Sequence, residues 1–266
     1  MKDKRFVVLI LLVICMIFCG ILNLRQKKET DIKFYTEKNE QITEEDKDNE
    51  PDSILKGKII VIDPGHGLNN ISDKERISPD SEEKKPAYVS GTAGKNQTEE
   101  QLNLSCGLLL RDKLEERGAV VHMTRSGHNA EMSNIGRAEF ANNLGADVSV
   151  KLHADGNKDE QMHGISVLVP AEECLDDELF KSSERLGMSL LDGVVSETGA
   201  DNRGLSYRKD MTGFNWSRVP VALIEMGFMT NPEEDALMET SEYQNKLMDG
   251  AVRGLEMYFE NKSESQ

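Results

Sequence analysis

The sequence predicts an α/β fold: a mostly parallel central sheet with helices on both faces, built as a single domain. Three observations carry that prediction. Apolar, β-branched runs alternate with helical periodicities between residues 57 and 261, which is the pattern of βα units. Two of those runs, Lys58-Ile59-Ile60-Val61-Ile62 and Val219-Pro220-Val221-Ala222-Leu223-Ile224, read as fully buried strands. Each breaks at a glycine-containing turn with a titratable side chain: Asp63-Pro64-Gly65-His66-Gly67 after the first, Glu225-Met226-Gly227-Phe228 after the second. In open α/β sheets the residues just past strand carboxyl ends face the ligand crevice. His66 and Glu225 are therefore the first candidates for chemistry, as a zinc ligand and a catalytic carboxylate.

The chain divides into residues 1–28, 29–56 and 57–261. Lys2, Lys4 and Arg5 precede an apolar run from Phe6 to Leu22. That run, about 17 residues, is at the short limit for a bilayer crossing and long for a signal-peptide core. No small-residue cleavage site follows, and Phe18 stands before Cys19 where a lipoprotein signal needs a small residue. The segment reads as an uncleaved membrane anchor, with a cleaved signal as the alternative. The domain would then sit on the extracytoplasmic face, or be secreted if the segment is cut. Arg25, Lys27 and Lys28 nearly balance the N-terminal cations, so charge specifies orientation weakly. Residues 29–56 are rich in Glu and Asp and poor in apolar side chains. Such a stretch cannot bury enough surface to fold and reads as an acidic, solvated stalk.

About 200 residues then remain, enough for one α/β domain with a substantial core. The formal net charge is −16, with no basic cluster in the folded part. That argues against nucleic acid, which requires a cationic face. Of the four cysteines, Cys15 and Cys19 lie in the apolar run, while Cys106 and Cys174 fall in helical patterns without C-x-x-C spacing. They form neither a disulfide framework nor a thiolate zinc site.

After His66, Leu68 to Lys95 is long, polar and without a steady period. Loops of that length border sites or are mobile insertions, and both readings stand here. Thr98 caps a helix to Arg117, with Glu99 and Glu100 in its first turn and a stripe at Leu102, Leu109, Leu110 and Leu114. Ala119 to Thr124 is a strand. Ser133 opens a helix ending at Gly145, and Asp147 to Leu152 is a strand followed by His153. Gly164 to Val169 is a strand, Leu175 to Val195 a helix, and Arg203 to Tyr207 a short extended piece. Glu233 to Phe259 closes the domain as one long helix or a broken pair.

A hydrolytic zinc takes about three protein ligands and leaves one position open. His66 and His153 both follow strands; if those strands are parallel neighbours, both imidazoles emerge at one edge. His122 lies within a strand, His128 in a polar turn and His163 before a strand, which suits ligation less well. The third ligand should be a carboxylate or another His. Glu99 and Glu100 both open the helix that starts near the His66 turn, and spacing does not choose between them. Glu225 follows an apolar strand, where poor solvation raises a carboxyl pKa toward the range useful for proton transfer. A structural carboxylate capping a turn fits the same position.

Several motifs occur in order: Asp63-Pro64-Gly65-His66-Gly67, Glu99 with Asn103-Leu104, Arg137-Ala138 with Ala141-Asn142, Gly145-Ala146-Asp147, His153-Ala154-Asp155, and Ile224-Glu225-Met226-Gly227-Phe228 with Asn231-Pro232. This set resembles the zinc-dependent N-acetylmuramoyl-L-alanine amidases of the amidase-3 family, bacterial cell-wall hydrolases, over about Lys58 to Phe259. The resemblance implies a Zn²⁺ held by His66, Glu99 and His153, which selects Glu99 over Glu100, and Glu225 as the catalytic residue. It implies hydrolysis of the peptidoglycan amide between the lactyl group of N-acetylmuramic acid and L-alanine. The chain departs from the family pattern at Lys151, where Ser is common, at His128, where an Asp is usual, and in Asp210 to Trp216. A competing reading keeps the fold without catalysis, as a membrane-tethered peptidoglycan-binding protein; it has no evident use for Glu225 beside three metal ligands. A serine or cysteine hydrolase lacks both a G-x-S-x-G motif and a Cys at a strand end. Some members carry a helix that plugs the zinc site after the His153 strand. Here Ala154 to His163 is too short for a stable one, so an open site is expected.

Overall fold

The computed structural model describes residues 53–68, 73–130 and 132–263. The expected anchor, and the stalk up to residue 52, lie outside the described residues. Among those described, no helix is long and apolar enough to cross a membrane. The compact unit begins at Ser53. Leu55, expected at the end of the stalk, is fully buried in the main core.

The strand period of two decides how the molecule is layered. In β1 (Ile59–Pro64), Ile60 and Ile62 enter the main core, while Val61 enters a small cluster with Ala141, Ala146 and Val219. A hairpin of β2 (Lys74–Arg76) and β3 (Lys84–Pro86) follows, then α1 (Glu99–Glu115), β4 (Val120–Met123) and α2 (Asn134–Leu144). The chain continues through β5 (Val148–Asp155), β6 (Ile165–Pro170), α3 (Asp177–Thr198), β7 (Asn202–Arg208), the short α4 (Thr212–Asn215) and β8 (Val221–Phe228). It ends in α5 (Pro232–Met238) and α6 (Ser241–Ser263).

The six-stranded sheet has the order β4-β1-β5-β8-β6-β7. From β4 to β8 the pairs are parallel, β6 runs antiparallel to β8, and β7 is parallel to β6. The reversal has a simple cause. A parallel return needs a crossover of about a dozen residues or more, and only residues 156–164, bends and turns without a helix, join β5 to β6.

Helices cover the two faces unequally. Leu102 and Leu110 of α1, Leu186 and Leu190 of α3, and Leu247 and Leu255 of α6 pack on Val148, Val150 and Leu152 of β5 and Ala222 and Ile224 of β8. α3 and α6 meet backbone to backbone: a Cβ on Gly193, Gly250 or Gly254 would strike the main chain of the other helix. Among the described residues the helices on the opposite face are α2 and α4, the latter through Phe214 against Leu168, Val221 and Leu223. The closing helix is a broken pair. Thr240 Oγ1 accepts from Tyr243 N and starts α6 afresh.

The stretch expected as a loop from Leu68 to Lys95 contains the β2–β3 hairpin, and it is clamped. Asn215 Nδ2 donates to Ile77 O and Trp216 Nε1 to Arg76 O, each at 3.1 Å. Ile135 N donates to Glu75 Oε2, and Asn134 N to Ala87 O. The hairpin is thus a fixed wall tied to α2 and α4.

Candidate active site at the carboxyl edge of the sheet

Strand alternation places four side chains on the thinly covered face. Val61, Ser149 and Val221 lead, two residues at a time, to Asp63, to Lys151 and His153, and to Glu225. The register pairs Asp63 with Lys151 and His153 with Glu225. His153 and Glu225 were expected just beyond their strands. They lie within them, because the β5–β8 pairing continues past His153 and shifts only before Asp155.

His66 approaches from the turn after β1, with φ of 60° between Gly65 and a Gly67 at 129°. The left-handed conformation costs a non-glycine residue energy, and neighbours hold it there. Arg137 Nη2 donates to His66 O at 2.6 Å. His66 Nδ1 donates to Val89 O at 2.7 Å, which fixes the tautomer and turns Nε2 inward. Glu99 is the first residue of α1, which Thr98 opens with a capping box closed by Gln101. Its Oε2 accepts from Thr92 N, and its Oε1 from Ala154 N and Asn103 Nδ2. Glu100 turns away toward Arg125 and His128, since successive helical residues point about 100° apart.

Glu99 Oε1 lies 3.0 Å from His66 Nε2 and 2.9 Å from His153 Nδ1. One ligand-type atom from each residue falls within 4.8 Å of the others, the one such cluster among the described residues. Two glycines permit this approach. A Cβ on Gly65 would run into the His153 imidazole, and one on Gly91 into the Glu99 carboxylate and the His66 ring. Because His66 Nδ1 already gives its hydrogen to Val89, a neutral ring would aim the Nε2 lone pair at a carboxylate oxygen. A second proton or a shared cation resolves that contact. Two imidazoles and one carboxylate are a donor set of hydrolytic zinc sites, and their spacing is near the ~3.3 Å between neighbouring ligand atoms on one tetrahedral zinc. The residues present therefore fit such an ion.

Burial alone would raise the Glu99 carboxyl, but hydrogen bonds and charge from His153 and His66 hold it far below the ordinary range. Burial lowers His153 despite its contact with Glu99, whereas for His66 the Glu99 carboxylate outweighs burial and raises the ring. Glu225 moves the other way. Burial, then the negative charges of Glu99 and Asp155, push its carboxyl well above the ordinary range, with Arg208 opposing. Its Oε2 is shut off from solvent and has no hydrogen-bond partner among the described residues.

Two cavities meet at His66 and His153. One, about 380 Å³, runs over Asp63, Lys151 and Leu223 to Lys85, Arg208 and Asp210. The other, about 430 Å³ and wider, is lined by Gly91, Thr92, Glu99, Asp155, Lys158 and Glu225. The remaining histidines stand apart: His122 packs edge-on to Phe140, His128 bonds Glu100, and His163 bonds Asp201.

The supporting residues were not legible as such. Arg125 donates to the carbonyls of Pro64, Gly65 and Glu100. Asn103 bridges Gly65 O and Glu99. Glu234 accepts from Gly164 N and Phe228 N, pinning the end of β8 beyond Glu225. Spacing carries no signal for these bonds, which form between distant segments.

The sequence matches the N-acetylmuramoyl-L-alanine amidase family over residues 60–257. The N-acetylmuramoyl-L-alanine amidase Rv3717 of Mycobacterium tuberculosis is 29% identical over 208 residues, covering 76% of this chain and 86% of that protein. The germination-specific N-acetylmuramoyl-L-alanine amidase of Bacillus subtilis is 25% identical, covering 79% and 83%. The crystal structure of the amidase Ami1 from Mycobacterium smegmatis superposes with a TM-score of 0.72 at 28% identity, over 78% of this chain and 99% of that one. The match begins in the first core strand and ends in the last helix, with the His66 turn and Glu225 both inside it, and so the chain belongs to the N-acetylmuramoyl-L-alanine amidase family.

Proposed function

We propose that this chain hydrolyses the peptidoglycan amide between the lactyl group of N-acetylmuramic acid and L-alanine, with one Zn²⁺ held by His66, Glu99 and His153. Bound there, the ion would supply Lewis acidity toward the scissile carbonyl and the attacking water. Val89 O and Arg137 fix the His66 ring and backbone, and Thr92, Asn103 and Ala154 aim the Glu99 carboxylate. The Glu225 carboxylate takes the proton of the attacking water as oxygen bonds to the carbonyl carbon. It then gives that proton to the amine nitrogen as the C–N bond breaks. The products are a muramic acid carboxylate and a peptide with a free L-alanine amino group. The single observation that carries the reading is a poorly solvated carboxylate, its Oε2 without a hydrogen-bond partner among the described residues, in register with one member of a His-Glu-His cluster. A carboxyl raised by burial is suited to both proton steps.

The test is release of free L-alanine amino termini from purified muropeptides by zinc-loaded protein. Glu225→Gln keeps the shape but cannot accept the proton; it should retain zinc and lose activity by on the order of 10²–10⁴-fold. Zinc binding without hydrolysis in the wild type would favour the non-catalytic binding reading, and near-normal turnover in the variant would reduce Glu225 to a structural role. We also propose that residues 1–28 anchor the chain to the membrane with this domain on the extracytoplasmic face. The apolar run and the absence of a cleavage site in the sequence support the anchor, and the extracytoplasmic face rests on the usual export behaviour of an N-terminal apolar segment. Recovery of the mature protein in the soluble fraction, starting beyond residue 25, would overturn it.

A further inference from the structure

Lys151 stands on the floor of the 380 Å³ cavity, two residues before His153 on the same face of β5. Its side chain is 8% exposed, and Nζ donates to Asp63 Oδ2 at 2.5 Å. Among the described residues that is its one hydrogen bond, whereas an ammonium carries three donors. Asp63 cannot take more of the charge, because its Oδ1 already accepts from Arg137 Nη1 and Thr124 Oγ1. Two buried cations therefore share one carboxylate, and the surplus positive charge faces the cavity. The rim repeats the imbalance, with Lys85 and Arg208 both bonded to Asp210.

The lining of this cavity thus sets four cations, Lys85, Arg137, Lys151 and Arg208, against two carboxylates. The formal charge of the whole chain is −16, so the sign is local. The wider cavity has the opposite character, with Glu99, Asp155 and Glu225 against Lys158. A muropeptide has a matching asymmetry. The lactyl carboxyl is consumed in the scissile amide, so its anionic groups lie on the peptide side. The nearest is the α-carboxyl of the second stem residue, a γ-linked D-glutamate, and it is either free or amidated. Lys151 is a two-residue step along the strand from His153, about 6.6 Å. One alanine residue and the following carboxyl span a similar length.

We infer that Lys151 is a specificity-determining residue that receives a free α-carboxylate on the second stem residue, so that the site prefers D-isoglutamate to D-isoglutamine there. The inference rests on the amidase reading for the identity of the substrate. It does not rest on turnover, and binding tests it directly. L-Alanyl-γ-D-glutamate and its α-amide would be titrated calorimetrically against the zinc-loaded protein, at fixed ionic strength. The wild type should bind the acid more tightly by on the order of 10-fold or more, the size of one charge-assisted hydrogen bond. Lys151→Gln keeps a donor for Asp63 without the charge, and should bring that ratio to within about 2-fold of one; Lys151→Arg should keep part of it. With matched muramoyl dipeptides the same preference should appear in KM rather than kcat. A wild-type ratio near one, which requires no variant to fold, or an undiminished ratio in Lys151→Gln of normal thermal transition and zinc content, would overturn the inference. Discrimination in binding without hydrolysis of either muramoyl dipeptide would uphold the subsite and remove the amidase reading. Equal hydrolysis and equal binding of both forms would do the reverse.

Discussion

Replacing Asp63 by Asn tests the buried charge cluster at its centre. Asp63 is 2% exposed; one oxygen accepts from Arg137 and Thr124 and the other from Lys151. An asparagine offers one oxygen and one NH₂ group. Whichever way it is turned, one cation loses its acceptor and faces a donor. Breaking a buried ion pair from one side costs about 3–5 kcal/mol, against a total stability of about 5–15 kcal/mol for a domain. Asp63→Asn should therefore lower the midpoint of urea unfolding by a large fraction. Adding Lys151→Met removes the stranded ammonium, so the double variant should be less destabilised than the sum of the singles, with a coupling of about 1–3 kcal/mol. pH gives an independent reading. Burial alone would raise the Asp63 carboxyl, but Arg137 and Lys151 hold it well below its ordinary value. A group depressed in this way stabilises the fold fully above about pH 4 and loses that contribution as pH falls through its folded value. The wild type should thus lose stability more steeply with acid than the double variant. A single variant costing under about 1 kcal/mol, or a cycle with no coupling, would refute the argument.

Gly65→Ala should fold, because the backbone stays pinned by Leu152, Arg125 and Asn103, but its methyl must displace the His153 ring. Zinc affinity, measured against a chromophoric chelator, should fall by at least about 10–100-fold; normal affinity would show that the ring has room to move. Glu234→Gln leaves one acceptor for the two amides of Gly164 and Phe228. It should destabilise by about 1–3 kcal/mol in urea unfolding with zinc content unchanged, and loss of zinc would tie Glu234 to the His66-Glu99-His153 cluster more closely than its bonds suggest. A chain beginning at Ser53 should keep the urea midpoint and muropeptide activity of the full chain, whereas one beginning at 57 loses buried Leu55 and should be about 2–5 kcal/mol less stable. Equal midpoints for the two would remove Leu55 from the stabilising core.

The parallel sheet and the pairing of His66 with His153 were legible because they depend on short-range patterns: apolar strands that alternate with helices, and titratable residues at their ends. The choice between Glu99 and Glu100 was not open to spacing alone. Both belong to one helical turn, and the rotation of α1 against the sheet decides which enters the site. The hairpin within residues 68–95 was illegible for a related reason. Its strands are three residues each and polar, and its hold on the domain comes from carbonyls taken by Asn215 and Trp216. The reversal of β6 was within reach, since the connection after β5 is too short for a parallel crossover.

Two departures from the family pattern looked alike in the sequence and differ in consequence. His128 stands where an Asp is usual. It bonds Glu100 Oε2 at 3.1 Å, on the side of α1 turned from the His66-Glu99-His153 cluster. Arg125 meanwhile still spends its guanidinium on the carbonyls of Pro64, Gly65, Glu100 and Gly127. The exchange is absorbed at the periphery, and the turn that carries His66 is held as before. Lys151 stands where Ser is common, and strand alternation puts it on the face shared by Asp63, His153 and Glu225. A hydroxyl there would leave Asp63 balanced by Arg137 alone. The ammonium overcompensates it and gives the cavity beside His66 and His153 a positive floor. Its consequence follows from which face of β5 it occupies, and that face is set by the same period of two that brings His153 into register with Glu225.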